Sequence, residues 1–374
     1  MPMDCRSAAA RLLAVGFEGT TVTPELRRLL EAGVSAVILF ARNVPPPPEA
    51  YRVRELTAAI KAAAGRPVLI CIDQEGGRVA RLKAPFTAVP SMRQIGASPD
   101  AEQLAADAGT VLGRELRWAG IDVDFAPVMD VDSNPANPVI ADRAFGPDPA
   151  LVSRLGTRLI RAMQRGDGGV AACAKHFPGH GDTAQDSHHD LPRLDHDLRR
   201  LESVELPPFE AAVRAGVAAV MSAHVIFTPL DPAYPATMSP AALGGLLRGR
   251  MGFGGVVFSD DLEMKAVASH FPFEDQLLRG LDAGLDLFTI CHSPELQWKA
   301  IELLASGLEH GRIAHDRVAA SHRRIDRLTA DFYRPVTPDA GPSLADVQGG
   351  HADAIARLAA LGPYVNPRDP TQYR

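Results

Sequence analysis

Sixteen residues from Lys175 to Asp190 read Lys-His-Phe-Pro-Gly-His-Gly-Asp-Thr-Ala-Gln-Asp-Ser-His-His-Asp, and they hold four of the chain's 12 histidines beside one lysine and three aspartates. Groups of these types at this density carry protons. A carboxylate within reach of an imidazole orients it and favours its cationic form, which makes the ring a general acid that later returns as a base. Asp186 and His188, separated by Ser187, have the spacing for such a pair on a loop. A single histidine is more often a hydrogen-bonded structural residue. The cluster argues for function, because removing so many ionisable groups from water is costly unless they pair with one another or meet a ligand.

Two other stretches have chemical potential. Ser259-Asp260-Asp261 closes an apolar run, which puts the Asp260 carboxylate at a strand end and leaves Asp261 to cap the next helix. Asp73-Gln-Glu-Gly-Gly-Arg-Val-Ala-Arg81 combines carboxylates, two arginines and glycines that allow close backbone approach, as either an ion-pair network or a site for polar ligand groups would require. Rival chemistries fit less well. Ser187 lies between an aspartate and a histidine, but no Gly-x-Ser-x-Gly elbow surrounds any serine. His176 and His180 have four-residue spacing, but Pro178 and Gly179 break the helix on which such a pair would share an ion, so no metal is expected. Gly76-Gly77 has no following Lys-Ser or Lys-Thr to cradle phosphate, and no cofactor is expected.

The elements that must hold these residues follow a regular alternation. Apolar runs at 12–17, 35–40, 67–72, 121–125, 169–174, 218–222, 255–259 and 285–290 read as strands. Helical patterns at 24–32, 51–64, 101–118, 151–164, 202–215, 240–250, 274–283 and 294–304 separate or follow them. Alternation of this kind implies a parallel sheet covered by helices, and its count predicts an α/β fold of the (β/α)8 TIM-type barrel. Polar residues come after the strands in turn: Asp73, Asp124, Lys175 with His176, His224, and Asp260. In a barrel those ends share one face, where the site is built. Residues 1–330 read as the barrel, and 331–374, with Pro335, Pro338 and Pro342 before a helix over 351–361, as a short C-terminal appendage packed on the barrel or on a partner.

Composition limits the function classes. A chain that is 46% hydrophobic and 22% charged can bury a large core, and a formal net charge of −6 with no basic stretch excludes a nucleic-acid groove. Cys5, Cys71, Cys173 and Cys291 lie far apart with no zinc or redox spacing, which suits a reducing compartment. Asp4, Arg6 and Arg11 interrupt the N-terminal apolar character, and no run approaches the length that spans a bilayer, so no membrane is expected and the cytoplasm is the default.

Taken together, Asp73-Gln-Glu-Gly-Gly-Arg-Val, Arg143-Ala-Phe-Gly, Lys175-His-Phe-Pro-Gly-His-Gly, Asp186-Ser-His188, Met221-Ser-Ala-His224 and Phe258-Ser-Asp260-Asp-Leu-Glu-Met264 resemble family 3 glycoside hydrolases. More narrowly, they resemble the single-domain bacterial β-N-acetylhexosaminidases of peptidoglycan recycling. The resemblance implies a retaining hydrolase of cell-wall carbohydrate metabolism that removes terminal, non-reducing N-acetylglucosamine from anhydromuropeptide fragments. It implies Asp260 as nucleophile, His188 as acid/base and Asp186 as its partner, with Asp73, Arg81, Arg143, Lys175 and His176 on the sugar hydroxyls. His224 lies in a family motif without an assigned role. The expected partner is a small carbohydrate or muropeptide, and the expected assembly a monomer or weak homo-oligomer. A phosphorylase or β-glucosidase of the same family and a sugar-binding barrel without catalysis are the alternatives.

Overall fold

The computed structural model describes residues 4–166, 169–183, 191–338 and 340–362. Eight parallel strands close into a barrel: β1 (Leu13–Val15), β2 (Ala36–Leu39), β3 (Leu69–Ile72), β4 (Val123–Asp124), β5 (Ala171–Phe177), β6 (Ala219–Ser222), β7 (Val256–Asp261) and β8 (Leu287–Ile290). Each pairs with its neighbours in sequence, and β8 returns to β1 through Leu13↔Phe288 and Val15↔Ile290. Helices surround the strands, so the architecture is the (β/α)8 barrel that the alternation predicts.

Strand periodicity divides the apolar residues between two cores. In β2, Ala36 and Ile38 join the cluster inside the barrel, whereas Val37 and Leu39 join the layer under the helices. In β3, Leu69 and Cys71 turn inward and Ile70 and Ile72 outward. The inward residues are small on several strands (Ala14, Ala36, Ala171, Ala219), which leaves room for Phe125 and Phe258 to meet edge to face at 5.2 Å. The helices follow the usual rules. Thr23 Oγ1 accepts the Leu26 N–H at 3.2 Å to start Pro24–Ala32, and Gly33, at φ 112°, stops it. Helix Ala101–Trp118 buries Leu104, Ala108, Val111, Leu112 and Leu116, a stripe at helical spacing. Burying each leucine contributes roughly 1.5–3 kcal/mol.

Three expectations are corrected, and one helix is added to them. Lys175 and His176 do not open a loop: they belong to β5, whose pairing with β6 continues to Phe177↔Ser222. The helix expected over 202–215 is regular only at Leu206–Arg214 and is preceded by a wider turn over Leu201–Glu205. The last helix of the barrel layer extends to Glu309. It is followed by His315–Phe332, a helix with too few apolar positions (Val318, Ile325, Leu328) to stand out in a charged segment. Ile325 and Leu328 join the interior cluster beside Phe332 and Tyr333, so this helix closes the barrel at the end opposite the strand C-termini.

Beyond it, Leu344–Gly349 and Ala352–Ala359 lie on helix Ala101–Trp118. Arg357 pairs with Asp107 at 2.7 and 2.8 Å, Arg114 Nη1 donates to the Gly350 carbonyl at 2.9 Å, and Trp118 Nε1 donates to the Pro342 carbonyl at 2.8 Å. Among the described residues no helix is long and apolar enough to cross a membrane.

Candidate active site

The chemistry sits at the C-terminal ends of β3, β5 and β7, and local irregularities of the sheet put it there. Between Ala174↔Val220 and Phe177↔Ser222, β5 uses one residue more than β6. Strict alternation would send Lys175 inward and His176 outward. The bulge lets both line the cavity while Phe177 still reaches the outer core. Strand β7 has the same irregularity between Phe258↔Leu287 and Asp261↔Thr289, and Asp260 and Asp261 both line the cavity. The Lys175–His176 and Phe177–Pro178 peptide bonds are cis.

After β3 the chain forms a hairpin of Gln74–Gly76 and Val79–Ala80. Its turn glycine Gly76, at φ 96°, lies so close to the Pro90 carbonyl that a Cβ would come within 2.7 Å. Glycine there lets the hairpin fold back over the barrel mouth. It presents Asp73, Glu75, Arg78 and Arg81 to the cavity.

Charge is arranged as a chain. Lys175 Nζ donates to Asp73 Oδ1 at 2.8 Å and lies 2.6 Å from Glu75 Oε1. Arg143 clamps Glu75 with bonds of 2.8 and 2.7 Å and approaches His176 Nε2 at 3.4 Å. Burial opposes ionisation of Glu75, yet Arg143 and Lys175 outweigh it and hold the carboxyl far below its ordinary range. Asp73 is lowered in the same way, burial being outweighed by Lys175 and Arg81, and Lys175 is raised by Asp73 and Glu75 against its own burial. Behind His176, buried Asp130 accepts from the ring Nδ1 at 2.7 Å and from the amides of His176 and His180 at 3.2 and 2.7 Å. A carboxylate cannot donate to the ring. His176 therefore carries a proton on Nδ1 and turns Nε2 to the cavity.

Asp260 is the carboxylate best suited to attack. Its Oδ1 accepts the Asp261 N–H at 2.9 Å. Burial works to raise its pKa, but His176, His224, the Asp261 amide and Lys175 together bring it below the ordinary value, so the group is ionised at neutral pH. Asp261, expected to cap the next helix, does not: Lys265–Ala268 has no side-chain cap, and Asp261 Oδ1 accepts instead from Glu263 N at 3.2 Å within the preceding turn.

Six of the residues singled out in the sequence, Asp73, Arg81, Arg143, Lys175, His176 and Asp260, therefore line one cavity of about 510 Å³. Asp186 and His188 lie outside the described residues. Glu75 and Asp130 were not singled out. Glu75 stood in a quoted motif, where only its burial distinguishes it, and Asp130 carried one local signal, its place in the segment following β4. Among the described residues no group of histidine, cysteine and carboxylate side chains is arranged to hold a metal ion.

Comparison with known proteins agrees with this geometry. Residues 7–328 match the glycosyl hydrolase family 3 N terminal domain. The beta-hexosaminidase of Thiobacillus denitrificans is 40% identical over 357 residues, covering 93% of this chain and 93% of that protein. That of Xanthomonas oryzae pv. oryzae is 40% identical over 297 residues, 78% of this chain and 86% of that one. Among solved structures, a family 3 beta-N-acetylglucosaminidase from Paenibacillus sp. str. FPU-7 superposes with a TM-score of 0.87 at 38% identity, over 95% of this chain and 68% of that one. NagZ from Neisseria gonorrhoeae, in complex with N-trifluoroacetyl-D-glucosamine, superposes with a TM-score of 0.76 at 32% identity, over 94% and 97%.

Proposed function

The chain belongs to glycosyl hydrolase family 3 and is a glycoside hydrolase, and from that premise we propose that it is a retaining, exo-acting β-N-acetylglucosaminidase. Its substrate is a terminal, non-reducing β-linked N-acetylglucosamine on a muropeptide fragment, N-acetylglucosaminyl-anhydro-N-acetylmuramic acid with or without peptide, and the cytoplasm is the compartment this reading implies. The observation that carries it is Asp260: an ionised carboxylate at a strand end, facing a cavity whose walls present Asp73, Arg81, Arg143, Lys175 and His176. Such a set of paired donors and acceptors suits the hydroxyls around a pyranose.

In the first step an Asp260 oxygen attacks the anomeric carbon. The bond from that carbon to the aglycone oxygen breaks, and the departing oxygen takes its electron pair and a proton from the His188 imidazolium, which Asp186 orients. In the second step water attacks the same carbon, gives its proton to His188 and displaces Asp260, so two inversions return the β-anomer. Residues 1–330 form the catalytic unit in this reading and 331–374 a C-terminal extension, of which Leu344–Gly349 and Ala352–Ala359 lie on helix Ala101–Trp118.

The test is incubation with a purified muropeptide disaccharide, with and without inorganic phosphate, followed by NMR. The expected product is free β-N-acetylglucosamine in both cases, absent with Asp260→Ala. An α-anomer, a sugar phosphate, or full activity in the variant would overturn the reading.

A further inference from the structure

His224, prominent in the sequence and given no part in the chemistry so far, is buried at 1% exposure next to the nucleophile strand. Both ring nitrogens have partners. Nε2 lies 3.0 Å from the Asp261 carbonyl oxygen, and Nδ1 lies 2.8 Å from Thr237 Oγ1. A carbonyl can only accept, so the ring proton is on Nε2. The Thr237 hydroxyl has one proton for two acceptors, Nδ1 at 2.8 Å and the Ala223 carbonyl oxygen at 3.0 Å, and a neutral ring with its own proton on Nε2 takes it at the shorter contact. Thr237 Oγ1 in turn accepts from Ser222 Oγ at 3.0 Å. These contacts link Ser222 at the end of β6, through Thr237 and His224, to the carbonyl of the residue after the nucleophile. Burial, the largest influence on the ring, lowers its pKa and agrees with a neutral imidazole.

This clamp acts where β7 departs from regular pairing. The bulge between Phe258 and Asp261 places Asp260 in the cavity, and the strand is tied to β8 again only beyond it, through Asp261↔Thr289 and the Leu262 N–H on the Thr289 carbonyl at 3.0 Å. His224 provides a fixed point there from the β6 side. The amide of the same residue, Asp261, donates to Asp260 Oδ1 at 2.9 Å, so holding the Asp261 backbone also holds the orientation of the attacking carboxylate. We propose that His224, as its neutral Nε2–H tautomer, is a positioning residue for the glycosylation step that aims Asp260 by anchoring the Asp261 carbonyl. The inference rests on Asp260 being the nucleophile.

The experiment follows labelling by a 5-fluoro glycosyl fluoride of N-acetylglucosamine, whose covalent intermediate accumulates, using intact mass for the rate and peptide mapping for the labelled residue. His224→Asn keeps a group facing Thr237 but cannot reach the carbonyl, whereas His224→Gln can place an N–H near the position of Nε2. The expected result is labelling of Asp260 that is roughly 10- to 100-fold slower in His224→Asn, as loss of one buried hydrogen bond at the reacting centre implies. Affinity for N-acetylglucosamine should be unchanged, and His224→Gln should recover most of the loss. Labelling of Asp260 at the wild-type rate in His224→Asn would overturn this inference alone. Labelling of another residue would overturn the nucleophile reading and this inference with it. The wild-type protein supplies a check independent of variant folding: ¹⁵N NMR at pH 7 should show the His224 proton on Nε2, and a proton on Nδ1 would sink the proposal.

Discussion

The two ends of the barrel both bury carboxylates, and they use them in opposite ways. At the end where strands begin, Asp122 precedes β4 and Asp286 precedes β8, each with no exposure. Asp122 accepts from Lys61 Nζ at 2.9 Å, Arg117 Nη1 at 3.1 Å and the Ile70 amide at 2.9 Å. Asp286 accepts from Arg248 and Ser321 at 2.6 Å each, and from Arg324 and the Val257 amide at 3.0 Å each. Protein donors meet these groups on several sides, tying strands to helices and to the closing helix His315–Phe332. At the other end, Asp73 and Asp260 follow or finish their strands and face a cavity. The same residue type at two ends of one strand set is structural where the fold supplies its partners and chemical where it leaves lone pairs for a ligand.

Replacing one carboxylate at each end tests that contrast most strongly. Asp260→Asn should lower kcat by on the order of 10⁴-fold or more, because the proposed covalent step would lose its nucleophile. Its thermal midpoint should fall only slightly, since a carboxyl held below its ordinary pKa adds modestly to stability at neutral pH and the amide keeps its shape. Asp286→Ala should do the reverse. Removing it strands buried guanidinium groups and should cost about 3–5 kcal/mol in urea unfolding, with kcat per folded molecule unchanged. If Asp286→Ala lost turnover at full stability, the two ends could not be separated in this way.

Acid offers a smaller effect that should belong to the site end. Burial lowers His180 from 6.5 to about 4. Between those values the unfolded chain binds a proton that the folded chain refuses, so stability is present above about 6.5 and falls as pH drops toward 4. The loss is at most about 3 kcal/mol for this one group. Urea midpoints measured across that window should fall more steeply in the wild type than in His180→Asn, whereas Asp286→Ala should shift the whole curve without removing the slope. Parallel curves for wild type and His180→Asn would show that the refused proton lies elsewhere.

How far the sequence carried this contrast can be judged from particular residues. The barrel was legible because its signal is repeated: runs such as Ser35–Phe40 and Leu285–Ile290 each alternate with a helical pattern, and an error at one boundary leaves the order intact. Asp73, Lys175 and Asp260 were legible because each sits just past an apolar run or at its end, where a barrel puts its site. The bulges were not. A one-residue excess in β5 depends on how β6 pairs with it, which no local pattern records, and so Lys175 and His176 read as the start of a loop. Helix His315–Phe332 was missed for a related reason: its apolar positions are few because it meets the barrel end through Ile325 and Leu328 and presents its other faces to charge. Asp122 and Asp286 showed nothing of their role either, since their partners, Lys61 and Arg248 among them, come from other helices.

Asp130 makes the contrast sharper because it shares features of both ends. It lies on the site side, after β4, yet it is fully buried and its oxygens bond the His176 ring and two backbone amides, as the carboxylates at the opposite end bond their partners. If partner count alone decided, Asp130→Asn would be a stability variant. The geometry argues otherwise, because one partner is a ring whose other nitrogen faces the cavity proposed to hold the sugar. An amide can donate where the carboxylate could only accept, so the substitution allows the proton to move from Nδ1 to Nε2 and turns the cavity face of His176 from acceptor to donor. That inverts one hydrogen bond to the substrate or to Arg143, and kcat/KM should fall roughly 10- to 100-fold. Measured well below the thermal midpoint, this loss should exceed anything explained by the unfolded fraction, and ¹⁵N shifts of His176 should report the exchanged tautomer. A variant with unchanged kcat/KM and only a lower midpoint would move Asp130 into the company of Asp122 and Asp286.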